Sequence, residues 1–325
     1  MAFRPGCIWL FALALTSIAP TFVACAQEYP NRPIRIIVPL AAGGMADILA
    51  RTIAAKITET TGHSVVVENR TGGAGVIGAD AVAKSPADGY TLLMGLHATQ
   101  AILVHLQKLP YDPAKDFAPV VHVATVPNVL LVHNSVPSNS LSELIAYAKA
   151  NPDKLTFASQ GNGSTGHMIG EQFKVAAGIA LTHVPYRGAA PASQDLVAGH
   201  VSMLFDIVPL AVSNLQSGKV RALAVCAPER VKVLPDVPTI AEAGLPGMEA
   251  GAWFGLFAPA GTPPAAIAWM NGEAKKTFDA PDIRERFAGQ GAVLPLGPPD
   301  AFGAHVAAET ERWGALIRRA GIKME

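Results

Sequence analysis

Two glycine-rich turns, Ala42-Gly43-Gly44 and Gly163-Ser164-Thr165-Gly166, are the stretches of this chain best equipped for chemistry. Each links an apolar run to a helical pattern. The first turn of a helix carries N–H groups that have no partner inside the helix, and the helix dipole adds partial positive charge there. Such a start is a ready anion site. One terminus contributes about 0.3–1 kcal/mol when exposed and about 2 kcal/mol when partly buried. Charge-assisted hydrogen bonds add about 1.5–3 kcal/mol each. Two opposed termini with three or four such bonds reach the ~8 kcal/mol of micromolar binding without an arginine. The chemistry to expect is the grip on a small carboxylate.

Other motifs carry less. GAGVIG (Gly73–Gly78) fits G-x-G-x-x-G and follows a strand pattern, but Arg70, Thr71 and Gly72 separate it from that strand. The acidic residue that would hold a ribose about 20 positions on is replaced by the apolar TLLMGL. A tight turn packing helix on sheet is the better reading. GNGSTG (Gly161–Gly166) lacks the G-x-S-x-G of a nucleophile elbow, because Asn162 stands two residues before Ser164. The ordinary role for Ser164 is that of helix N-cap. None of the nine histidines forms H-x-H or H-E-x-x-H and there is no cysteine pair, so no metal site is expected. His167, in a first helical turn, suits either a cleft or a satisfied structural position. Tyr186-Arg187 in HVPYRG either reaches a cleft or forms a solvated loop pair.

The elements that must position these turns alternate. IRIIVPL, SVVVEN and YTLLMGL read as buried strands; between them lie a helix with Leu49, Ile53 and Ile57 on one face and the helical GVIGADAVAK. A second set starts near Asn128: NVLLVHN, LTFAS, LTHVPY, VSMLFD and VRALAVC as strands, with Leu141–Ala150, Gly166–Ala177, an Ala-rich segment up to Gly199 and Pro209–Ser217 as helices. WFGLFAPAG is a further strand, and the helical Pro264–Phe278 and Pro299–Arg319 close the chain. This alternation indicates βαβ units and a parallel sheet. The closing helices need a sheet to cover, so the chain is expected to cross out near Val126–Asn128 and return near Gly247–Ala252. Domain 1 would then comprise residues 27–127 and 250–325, and the inserted domain 2 residues 128–249, with a ligand cleft between them that closes by hinge motion.

Composition narrows the function classes. Half of the 325 residues are hydrophobic and 15% are charged. Arg4, the apolar run Cys7–Ala19 and the small-x-small Ala24-Cys25-Ala26 read as a signal peptide over residues 1–26. Phe22-Val23-Ala24-Cys25 is a poorer match to a lipoprotein box, with Cys25 as the lipidated residue. Without residues 1–26 the chain carries 24 basic and 25 acidic residues, which gives no electrostatic footprint for nucleic acid. Cys226 then remains alone, with no disulfide partner, and is expected to be a small buried hydrophobe. Trp253, Trp269 and Trp313 are few for a sugar site built on stacking.

Between Tyr29 and Ile322 the ordered motifs YPNRPIRIIVP, AAGGMADILAR, VVVENRTGGAGVIGA, DGYTLL, LPYDPAKDFAPV, HVPYRG, GKVRALAV, LPDVPTIAEAGLPG and APAGTPP resemble the Bug/TctC solute receptors of tripartite tricarboxylate transporters. The resemblance implies an α/β, two-domain periplasmic-binding-protein fold of type II (Venus flytrap), no catalysis, no cofactor, a monomer, and membrane permease subunits as partners. Carried over, the ligand carboxylate would lie between Ala42, Gly43, Gly44 and Asp47 on one side and Ser164, Thr165, Gly166 and His167 on the other. Asp206, ending VSMLFD, would either meet an amino or hydroxyl group of the ligand or cap a helix before Pro209. Leu40 and Ala41 depart from the aromatic residue and proline usual in the family, which bears on ligand identity. Arg70-Thr71 replaces the commoner Arg-Pro. The expected function is capture of a small organic acid (di- or tricarboxylate, amino acid or aromatic carboxylate) in the periplasm for delivery to the transporter. A ligand-sensing module and an exported serine hydrolase stand as alternatives.

Overall fold

The computed structural model describes residues 1–2 and 29–323, so the signal peptide, its cleavage after Ala26 and the Cys25 lipidation reading lie outside the described residues. β1 (Ile34–Val38), β2 (Val65–Asn69) and β3 (Thr91–Leu96) are parallel neighbours in the order β2-β1-β3. β3 is buried throughout, as a strand covered on both faces must be. α1 (Met45–Thr61) buries Ala46, Leu49, Ala50, Ile53 and Ile57, a stripe at the 3.6-residue period, and stops at Gly62 in the left-handed region. α2 (Val76–Ala83) connects β2 to β3.

The chain then runs through β4, a 17-residue strand from Phe117 to His133. From Phe117 to Pro127 it pairs antiparallel with β9 (Gly251–Pro259), which in turn pairs antiparallel with β3. From Asn128 onward its partners are β7 (Met203–Ile207) and β8 (Val220–Val225). The change of partner falls next to Pro127, a residue with no N–H to give to a ladder. A second proline, Pro119, borders a register shift in the same strand.

β5 (Thr156–Ser159) lies parallel between β6 (Thr182–Pro185) and β7. α3 (Leu141–Ala150), α4 (Thr165–Ala177), α5 (Ala189–Ala198) and α6 (Val208–Leu215) connect the strands of this second set. Past β9, α7 (Pro264–Asp279) packs on α1 and β4, α8 (Pro281–Ala288) packs on α7, and α9 (Pro299–Ala320) lies along β4.

The parallel sheet expected from the alternation is corrected in one respect. β1, β2 and β3 are parallel to one another, as are β5, β6 and β7, but the sheet is mixed: β4, which carries the chain out, runs antiparallel to β7, β8 and β9, and β9 carries the chain back beside β4 and antiparallel to β3. Two neighbouring strands that cross in opposite senses are antiparallel by necessity. The crossing is further tied by Asn128 N–H to Ala250 O (3.2 Å), Cys226 N–H to Asn128 O (2.7 Å) and Ala250 N–H to Cys226 O (2.9 Å). Cys226 is buried there, as a small hydrophobe, and burial pushes its thiol pKa up.

Candidate functional site

The two glycine turns stand where the sequence puts them, at the carboxyl ends of β1 and β5, the edge at which open α/β sheets bind ligands. Leu40, Ala41, Ala42, Gly43 and Gly44 are all exposed. Gly43 has φ +84°, a left-handed conformation that favours glycine. Gly44 is different: it is the N-cap of α1 in ordinary extended backbone (φ −78°, ψ 169°), and an added Cβ would meet only Ala41 O, at 3.6 Å. The fold does not require glycine at 44. No side chain caps this helix start, and the first helical bond is Ile48 N–H to Gly44 O (3.0 Å). The N–H groups of Met45, Ala46 and Asp47 precede that bond in the first turn.

Asp47 braces this loop. Its carboxylate receives Gly43 N–H (3.0 Å), Arg51 Nε (2.9 and 3.0 Å) and Asn69 Nδ2 (2.9 Å), and Asn69 Nδ2 also donates to Leu40 O (3.0 Å). It is 3% exposed, and the Arg51 guanidinium, helped by the Gly43 and Asn69 donors, holds its pKa down at about 2 against the cost of burial. Gly43 N–H therefore already has a carboxylate partner. Open donors at this start are those further into the first turn.

The second start is built differently. Ser164 is the N-cap of α4, its Oγ accepting His167 N–H at 3.3 Å, the role expected of it. His167 is buried, its Nδ1 accepting Gly163 N–H (3.1 Å), and its ring stacks on His183 at 4.1 Å. Among the described residues, the hydrogen bond of Ser164 Oγ is to the His167 backbone and not to an imidazole. Burial holds His167 down at about 4 and His183 at about 3, so both rings are neutral near pH 7. Gly166 is required by packing: a Cβ there would lie 2.5 Å from Gln160 Oε1 and 2.8 Å from Phe205 O. Thr165 Oγ1 hydrogen-bonds His97 Nε2, which joins this helix start to the end of β3. Gly163 faces Leu103 and Leu106 of the same first set.

Asp206 is the penultimate residue of β7 and does not cap α6, whose N-cap is Ile207. It is 1% exposed and accepts from Ile207 N–H (3.0 Å), Gln160 Nε2 (3.3 Å) and Ser193 Oγ (3.3 Å). Burial outweighs these donors and pushes its pKa up to about 7. Tyr186 donates to Asp195 Oδ2 at 2.6 Å, while Arg187 is exposed. The GAGVIG turn packs tightly: a Cβ on Gly78 would lie 2.8 Å from both Arg70 O and Pro39 Cβ.

His97, Gln160 and His183 escaped the reading of the sequence. His97 and Gln160 each directly follow a strand of a parallel set, and that position was the signal available. Their partners Thr165 and Asp206 lie 68 and 46 residues away.

Comparison with known proteins adds a family. The profile of the tripartite tricarboxylate transporter family receptor (TctC) matches residues 49–322. A Pseudomonas sp. (strain P51) protein, described as the UPF0065 protein in the tcbD-tcbE intergenic region, is 42% identical over 307 residues, covering 94% of this chain and 91% of its own length. Protein BugT of Bordetella pertussis is 38% identical over 302 residues, with coverage of 92% and 93%. Among solved structures, Rpa4515 of R. palustris with adipate superposes with a TM-score of 0.83 at 40% identity, covering 91% of this chain and 99% of its own. MatC of Rhodopseudomonas palustris with bound malate gives 0.79 at 38% identity, covering 89% and 100%. These relatives are solute-binding receptors, not enzymes, and their two-domain periplasmic-binding-protein fold is the fold of this chain.

Proposed function

We infer, for a chain that belongs to the tripartite tricarboxylate transporter receptor family, that it captures a small organic acid outside the cytoplasm and delivers it to the membrane permease of such a transporter. The lobes we propose are residues 27–127 with 250–325, and 128–249, divided where β4 changes partners and where β9 begins. The ligand carboxylate would sit between the N-cap Gly44 with the first-turn N–H groups of Met45 and Ala46 in α1, and the first-turn N–H groups of Thr165 and Gly166 in α4. Ala42 and Gly43 shape the approach, Asp47 and His167 hold the two loops in place, and Ser164 caps α4. Asp206, in its protonated form, would offer a donor or acceptor to a ligand hydroxyl or amino group. Export by the signal peptide over residues 1–26 and action as a monomer without a cofactor complete this reading.

One observation carries the proposal: a glycine N-cap that the fold does not need, on an exposed helix start whose first-turn donors no side chain covers. An anion brought from solvent is the partner such donors suit. Closure follows if the closed state makes contacts that the open state lacks.

The test is Gly44→Val. The variant should remain folded in buffer alone, losing at most about 1 kcal/mol because valine is a poorer N-cap than glycine, since a Cβ at 44 would meet only Ala41 O, at 3.6 Å. In a thermal-shift screen of organic acids, a ligand at one hundred times its Kd adds about 2.7 kcal/mol to the parent, a rise of several degrees. The variant should lose that rise. Equal affinity in parent and variant would sink the placement of the carboxylate.

A further inference from the structure

Three loops leave the carboxyl edge of the second lobe, and they are tied to one another. Tyr186 N–H donates to Ser159 O (3.0 Å) and Gly188 N–H to Gln160 O (3.2 Å). Gly161 lies close under the middle loop, since an added Cβ would be 3.1 Å from Tyr186 O. Gln160 in turn reaches Asp206. Arg187 is thus held, by the bonds on either side of it, beside the loop that becomes the start of α4.

The charges around the site make Arg187 distinctive. Arg51 is paired with Asp47, Arg70 with Glu68 and Lys174 with Glu171. The imidazoles of His97 and His167 are buried and that of His183 is half-buried. Arg187 is exposed, and no carboxylate among the described residues pairs with it. Behind it, Asp206 is buried and engaged with its own donors. A carboxylate arriving at Arg187 therefore displaces no resident acid, and a guanidinium offers it the two-pronged donor geometry that carboxylates fit.

We propose that Arg187 determines specificity by receiving the second carboxylate of a dicarboxylate ligand whose first carboxylate lies at the starts of α1 and α4. The inference rests on the receptor reading above. A monocarboxylate of the same length would fill the helix starts and leave Arg187 in water, so the arginine separates the two classes.

The experiment measures calorimetric affinities of succinate, glutarate and adipate against butyrate, valerate and hexanoate. It uses the mature parent, Arg187→Gln and Arg187→Lys, with equal unfolding temperatures in buffer as the check on folding. The best diacid should bind the parent at least tenfold more tightly than the monoacid of equal length. Arg187→Gln should erase that ratio by weakening the diacid and leaving the monoacid unchanged, and Arg187→Lys should restore part of it. A ratio unaltered by Arg187→Gln, or a loss shared equally by both acids, overturns the assignment while the receptor reading stands. If no acid of either series binds the parent, this inference fails, and the receptor reading is decided by the wider screen of organic acids.

Discussion

Replacing Asp47 by asparagine isolates the brace of the first loop. The carboxylate is 3% exposed and accepts four contacts from Gly43, Arg51 and Asn69. Asparagine removes the charge and turns one acceptor into a donor, which must face a donor already present. The folded pKa is lowered from 3.8 to about 2; at 1.36 kcal/mol per unit this amounts to roughly 2.4 kcal/mol. Arg51 is half-exposed, with its side chain 52% accessible, so solvent screening reduces the figure to about 1–2 kcal/mol. A group whose folded pKa is lowered contributes its stability above the unfolded value and loses it as pH falls through the folded one. The deficit of Asp47→Asn should therefore be complete above about pH 5 and shrink to nothing near pH 2. Thermal unfolding of parent and variant at pH 7, 4 and 3 reads this directly, with a gap of about 2–6 °C at pH 7. Equal unfolding temperatures at pH 7, or a gap that persists at full size into acid, would refute the reasoning.

Two further outcomes follow from the second lobe. Ser164→Ala removes the acceptor of His167 N–H at the start of α4 and should cost about 1 kcal/mol in denaturant unfolding; an unchanged midpoint would mean that the cap contributes nothing. Asp206, raised to about 7, stabilises the folded state fully below its ordinary pKa of 3.8, and that contribution is lost as pH rises towards 7. Asp206→Asn does not titrate, so urea midpoints at pH 5 and pH 8 should differ more in the parent than in the variant. Parallel behaviour would show that burial does not control this carboxyl.

Legibility in the sequence followed how local each feature was. The edges of α3, the Ser164 cap of α4 and the glycine turn before α1 came through because a serine or a glycine states them within a few residues. The first half of β4 did not, since Pro119, His122 and Pro127 interrupt its apolar run; they are accommodated by register shifts and by the change of partner, which are tertiary events. α8 also escaped: PDIRERFA buries only Ile283 and Phe287, too little to make a periodic stripe. At the site, the glycine turns were visible, whereas the purpose of Asp47 was not. Its tie to Asn69 spans 22 residues, and that tie together with Arg51 and Gly43 makes it a brace of the loop.

The paired strands β4 and β9 have a mechanical consequence. Any relative rotation of the lobes must flex a laminated ribbon, stitched by backbone bonds through Asn128, Cys226 and Ala250, and cannot swing on slack tethers. The register shifts in β4, two on one side of Pro127 and one on the other, are where such a ribbon yields most easily. In the receptor reading proposed above, a leaf spring of this kind would keep the lobes in alignment as they close, with no segment having to refold, so little of the free energy of ligand contact would be diverted into ordering the joint.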